Sequence, residues 1–183
     1  VSDIEIFARQ VQRRSAEHKQ AMALLWSNKL YGLMVSVLRQ ELDSMVRVIF
    51  LLGQEPTVRE QLVADSVYGR KWKIGREPVT DRKMVDFAQK LYGWTASVYK
   101  FGCAFIHLSA LHDYSARDPL QLLPSDERED ILSHCRHYHG GPVSPEAGFA
   151  DLISFLPLVL EKVADNLEFH LDDLLNGRSL ETV

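Results

Sequence analysis

Cysteine is scarce in this chain of 183 residues: only Cys103 and Cys135 occur. Both fall in stretches with helical spacing, which excludes a disulfide framework. They read as reduced thiols, as expected of a cytoplasmic protein. Long apolar runs are lacking as well. The stretch Val46–Leu52 is broken by Arg47, so neither a membrane span nor a secretory signal is expected. There is no excess of cations: 21 Lys and Arg against 25 Asp and Glu leave a net charge of −4. That balance argues against indiscriminate coating of nucleic acid and leaves room for a local basic patch. No glycine-rich phosphate loop, GxSxG elbow or CxxC pair occurs, which removes the common nucleotide, esterase and redox motifs. Internal repeats and alternating strand patterns are also missing.

What is present is helical periodicity. With 46% hydrophobic and 25% charged residues, the chain has enough apolar material for one domain with a core. The strongest segment is Leu30–Leu52, where Leu30, Leu33, Met34, Val37, Leu38, Leu42, Met45, Val46 and Ile49 recur at steps of three and four. Ser2 with Glu5 and Thr57 with Glu60 spell capping boxes. Thr80 opens a helix over 81–92, and Ser125 opens one over 126–138. Ser144-Pro145 opens a last long helix that Pro157 should kink. Trp94–Tyr114 reads as a helix with the stripe Trp94, Val98, Phe101, Phe105 and Leu108; Gly93 either punctuates it or is absorbed. The expected fold is all-α, a single-domain antiparallel bundle of six or seven helices over residues 1–183, with a basic loop at 68–80 and a frayed tail at 177–183.

Three groups of residues could carry chemistry. The first is the second face of Trp94–Tyr114, where Lys100, Cys103, Ala104, His107 and Leu111 share one side of a helix. The neighbouring Gly102 would let a ligand or another helix approach the backbone. Cys103 would become nucleophilic only if Lys100 and His107 lowered its pKa; a small thiol filling the core is the plainer role. Glu41 stands inside the apolar stripe of 30–52, where a carboxylate must find a partner or raise its pKa. Arg39 and Asp43 pair at i, i+4 along the edge of that stripe.

The second group is the loop, where Arg70, Lys71, Lys73 and Arg76 surround Trp72. That composition suits a phosphate backbone and a stacked base. The alternative is a solvated loop whose tryptophan tucks onto the domain. The third group is the set His107, His112, His134, His137 and His139, which could be imagined around zinc in a metal-dependent hydrolase. Its spacing matches no strong motif, so neither a metal nor a cofactor is expected. His112 lies on the Trp94/Phe101/Phe105 stripe, where a buried, hydrogen-bonded imidazole is the common case.

Two stretches, Val37–Met45 (VLRQELDSM, with Arg39 and Asp43) and Lys100–His107, resemble the HEPN-like helical superfamily. The resemblance implies a small helical bundle, often dimeric, whose active members are metal-independent ribonucleases. Lys100 stands where that family's motif has an arginine. The resemblance further implies His107 as acid/base group, Lys100 as stabiliser of phosphorane charge, and Glu41 or Asp43 as the carboxylate orienting the imidazole. Arg39, Cys103 and His112 would support the site. The resulting expectation is a nucleic-acid-associated protein, a degenerate ribonuclease, with RNA and a second copy of the chain as partners. The competing expectation is an internal Lys–Glu–His network in a non-enzymatic interaction or dimerisation module.

Overall fold

The structure, a computed structural model, describes residues 1–180. Its eight α-helices are α1 (Asp3–Ser27), α2 (Tyr31–Leu52), α3 (Pro56–Val67), α4 (Asp81–Tyr92), α5 (Thr95–Ile106), α6 (Ser125–His139), α7 (Phe149–Ile153) and α8 (Leu156–Leu175). A minimal antiparallel hairpin, β1 (Lys73–Ile74) with β2 (Glu77–Pro78), pairs Lys73 with Pro78 and Ile74 with Glu77. The all-α bundle is as expected.

The organising element is α2. It packs against α1, α4, α5 and α8, and it is buried or half-buried on every side although Ser36, Gln40, Asp43 and Arg47 make one face polar. Val35 and Leu38 are buried as fully as Leu42, Met45 and Ile49. A helix without a solvent face belongs in the middle of a bundle. Its neighbours are amphipathic and each covers one side of it. Ser36 on α2 donates its Oγ–H to the Phe105 carbonyl of α5 at 3.0 Å, fixing the axial register of those two helices.

Local signals set several helix ends. The Ser2/Glu5 capping box forms, with the Ser2 amide donating to Glu5 Oε2 at 2.7 Å. Gly93 ends α4 with φ of 73°, a backbone conformation in which glycine has no Cβ to strain. The Gln89 side chain then bridges to α5: its Oε1 accepts from Thr95 Oγ1 at 3.0 Å and from the Ala96 amide at 2.8 Å.

Four expectations are corrected. The box at Thr57/Glu60 does not form, because Pro56 already occupies the first turn and Glu55 is the N-cap. Pro at the first helical turn costs no hydrogen bond. Pro157 does not kink a long helix for the same reason: it lies in the first turn of α8, and the preceding helical turn is the separate α7. The helix expected to reach Tyr114 stops at Ile106. Ser109 Oγ–H donates to the Ala104 carbonyl at 2.7 Å, Ser109 Oγ accepts from the Leu111 amide, and His107 is already extended. A serine that satisfies nearby backbone groups competes with the helix. Leu108 is therefore 95% exposed rather than part of a buried stripe. Finally, residues 177–180 of the expected frayed tail are tied down: the Leu180 amide donates to Leu52 O at 3.2 Å, and Arg59 binds Arg178 O and Ser179 Oγ. Residues 181–183 lie outside the described residues.

Gly102 does admit a close approach, and the occupant is Arg39. A Cβ on Gly102 would lie 2.5 Å from Arg39 Cβ and 2.9 Å from its Cγ and Cδ. The first of these atoms is held by the α2 backbone and cannot swing aside. Gly102→Ala therefore forces α5 away from α2. Such overpacking costs about 1–3 kcal/mol, and the better helix propensity of alanine offsets at most about 1 kcal/mol. We expect a net loss of stability, read as a lower urea midpoint. A variant more stable than wild type would refute the close approach.

Candidate functional site

The structure does not bring Lys100, His107 and Glu41 together. Lys100 is exposed on α5 and pairs with Glu127 of α6 at 3.3 Å. His107 is exposed just beyond the end of α5, where the chain has left the helix. Glu41 is fully buried on the α1 side of α2, accepting from Ser15 Oγ and lying 2.5 Å from His18 Nδ1. The expected catalytic constellation fails because its helix ends early and because the carboxylate's partners come from α1.

The supporting residues form a different cluster. Arg39 is 3% exposed and pairs with Asp43, as the i, i+4 spacing predicts. It lies inside the bundle, not at the edge, with its guanidinium 4.1 Å from the Tyr99 ring centroid. Burial opposes its charge, but Asp43 and Cys103 outweigh that effect and hold its pKa above the ordinary value. Cys103 is thus a half-buried neighbour of a structural arginine.

The histidines are dispersed. His112 is exposed, not buried on a stripe, because its residue lies in a separate 3-10 turn, Ala110–His112. Among the described residues no three His, Cys, Asp or Glu side chains are grouped as a metal ion would require. Burial pushes the Cys135 thiol up to about 11, which opposes a thiolate at neutral pH.

The basic loop is where cations converge, but not around a free aromatic ring. Trp72 is 5% exposed; its Nε1–H donates to Ser66 Oγ at 2.9 Å, and the Arg47 guanidinium stands 4.6 Å from its ring centroid. The tryptophan anchors the loop to α2 and α3, so the expected base-stacking role is corrected. With that anchor set, Arg70 and Lys71 are carried to the mouth of a cleft. Lys73 and Arg76 are exposed on the hairpin beyond it. The hairpin reverses at Gly75, whose φ of 62° suits a two-residue turn with glycine first.

This cleft encloses about 560 Å³ between α1, α2, the end of α3 and the hairpin. Its floor is Phe7, Val11 and Trp72. Its polar wall is Gln10, Arg14, Ser44, Arg47, Ser66, Arg70 and Lys71, with no carboxylate among the lining residues. Arg14 donates from Nη1 to Ser44 Oγ at 3.2 Å. Arg70 is paired with Asp65 at 2.7 Å, and Arg47 approaches Asp81 at 3.8 Å. Among the described residues Arg14 and Lys71 have no carboxylate within ion-pair distance. Burial lowers the Arg47 pKa from its ordinary value; Asp81 and Asp43 oppose that, and the nearby Arg14 charge adds to it. Arg14 and Arg47 line the same cleft, so their like charges face a common space. That arrangement favours an anion, whose charge would relieve the repulsion.

Arg14 and Arg47 are the cleft residues that sequence reasoning missed. A signal for both was present. Arg14 follows Phe7 and Val11 at i+7 and i+3, on the buried face of α1, and Arg47 interrupts an otherwise apolar run. A cation on a buried stripe needs a reason, as Glu41 does.

None of the described helices is long and apolar enough to cross a membrane. Against protein-family models, curated proteins and solved structures this chain finds no match, so its function is read from the cleft itself.

Proposed function

We propose that the protein binds a phosphate-bearing polyanion, single-stranded RNA foremost, in the cleft between α1, α2 and the hairpin, and does not cleave it. The observation that carries this reading is the convergence of Arg14, Arg47, Arg70 and Lys71 on one cleft whose lining includes no carboxylate. Guanidinium groups suit phosphate oxygens through their forked donors, and Ser44 and Ser66 add hydroxyls. The net charge of −4 fits a bounded footprint, not a coat over the whole surface. Separation of Lys100, His107 and Glu41 supports binding without catalysis. The HEPN-like resemblance remains a proposal at the level of fold.

The test is binding of a labelled single-stranded oligoribonucleotide by anisotropy, from about 50 to about 200 mM salt. The double variant Arg14→Gln/Lys71→Gln should weaken binding about tenfold. Its salt slope should be shallower by about 0.7 for each lost phosphate contact. Thermal melting of the same samples reports whether the fold is kept. No binding by wild type at the lower salt, or equal binding by a folded double variant, overturns the proposal. Self-association is a second reading, favoured by Leu24, Trp26, Leu30 and Leu33, which are exposed around the α1–α2 turn. A molar mass in solution decides it.

A further inference from the structure

Far from the cationic cleft, α2, α5, α6 and α8 enclose an apolar space of about 70 Å³ that opens to solvent. One ordered water needs about 10–15 Å³ and a benzene ring about 150 Å³, so the space has room for the end of a short alkyl chain, the rest lying in the open mouth. Its walls are almost entirely side-chain carbon, broken by a few nitrogen-bearing groups. Trp94, 4% exposed, lines it, and the Trp94 Nε1–H is buried without an acceptor. His134 lines it too, and its Nδ1 is buried without a partner. Neither atom is accessible from the hollow. Lys162, also in the lining, has its Nζ 4.6 Å from the Tyr138 ring centroid and no carboxylate within ion-pair distance among the described residues. His139 beside it is held toward its neutral form by burial and by the Lys162 charge.

An apolar hollow lined by one half-buried cation has the make-up of a small-ligand site. The geometry points to a binding site for a small amphipathic carboxylate, the end of its alkyl chain in the apolar space and its anionic end toward Lys162. A purely apolar ligand would leave the ammonium unanswered. A doubly charged metabolite would find too few cations. The site is independent of the phosphate-binding cleft and stands whether or not that proposal does.

The experiment titrates wild-type protein with octanoate and with octanol, following heat and tryptophan emission. Saturable octanoate binding with a change in emission is expected. Lys162→Gln should weaken octanoate about fivefold, as loss of a half-exposed ion pair does, and leave octanol unchanged. Ser97→Phe, which adds a ring to the lining, should abolish binding of both. If Ser97→Phe does not fold, the Lys162→Gln comparison still decides. No saturable octanoate binding at about 1 mM, or equal octanoate affinity in Lys162→Gln and wild type, would overturn the site.

Discussion

Arg59→Met should be among the most destabilising single substitutions in this protein. Arg59 is 7% exposed and has no carboxylate partner among the described residues. Its guanidinium instead serves backbone oxygens left over by helix ends. Nε donates to Leu51 O at 3.0 Å, Nη2 to Leu52 O and Gln54 O at 3.2 Å each, and Nη1 to Arg178 O at 2.8 Å. Nη2 also donates to Ser179 Oγ at 2.7 Å. The last carbonyls of α2 have no partners within their own helix, and the negative end of its dipole gathers there. One cation thus caps the central helix and staples the C-terminal segment to it. Burial lowers the Arg59 pKa, against the opposing pull of Glu55. Removing the guanidinium deletes five donated hydrogen bonds, two of them to the buried Leu51 and Leu52 carbonyls, at an expected cost of about 3–5 kcal/mol. For a chain of this size that is a fall in Tm of about 10 °C. Arg59→Lys should recover only part of it, because one ammonium cannot reach acceptors spread over two segments. Hydrogen exchange at the Leu180 amide, which bonds to Leu52 O, should accelerate in step. A melting point within about 2 °C of wild type would remove Arg59 from this role.

Glu41→Ala is expected to have an effect of similar size, for a different reason. The carboxylate has no solvent exposure and joins Ser15 and His18 of α1 to the core helix. Its deletion strands a buried imidazole and a hydroxyl and opens a cavity. The combined cost is about 3–5 kcal/mol. The triple replacement Ser15→Ala/His18→Leu/Glu41→Leu, which removes every polar member together, should recover most of that loss. Buried polar clusters are often no more stabilising than well-packed apolar groups of the same volume. Urea titration of the single and triple variants separates the two contributions. A triple variant no more stable than Glu41→Ala would mean that the cluster contributes more than mutual satisfaction of its members.

These two predictions also mark where sequence reasoning stopped. The Glu41 carboxylate was visibly out of place in an apolar stripe, and its need for a partner follows from sequence alone. Which partner it takes does not. His18 falls in a stretch of α1 that reads as polar, yet Val11, Ser15, His18 and Met22 share one helical face. Only the packing of α1 on α2 turns two isolated oddities into one cluster. Arg59 carried only a faint signal: it precedes Leu62 and Val63 at i+3 and i+4 in a segment of weak apolar periodicity, and its acceptors include residues more than a hundred positions away.

The chain's own periodicity determined that the protein is an all-helical bundle, because a repeat of three and four apolar residues can be buried only as helices. Local chemistry likewise placed the Ser2 cap and marked Gly93 as a candidate break, since both depend on neighbours in the chain. Tertiary structure decided the site. Cations at 14, 47, 70 and 71 meet because Trp72 docks its loop against α2, while Lys100, His107 and Glu41 part because α5 ends early and α1 claims the carboxylate. Periodicity reports which side of a helix is buried; what that side meets is settled by packing between segments remote in the chain.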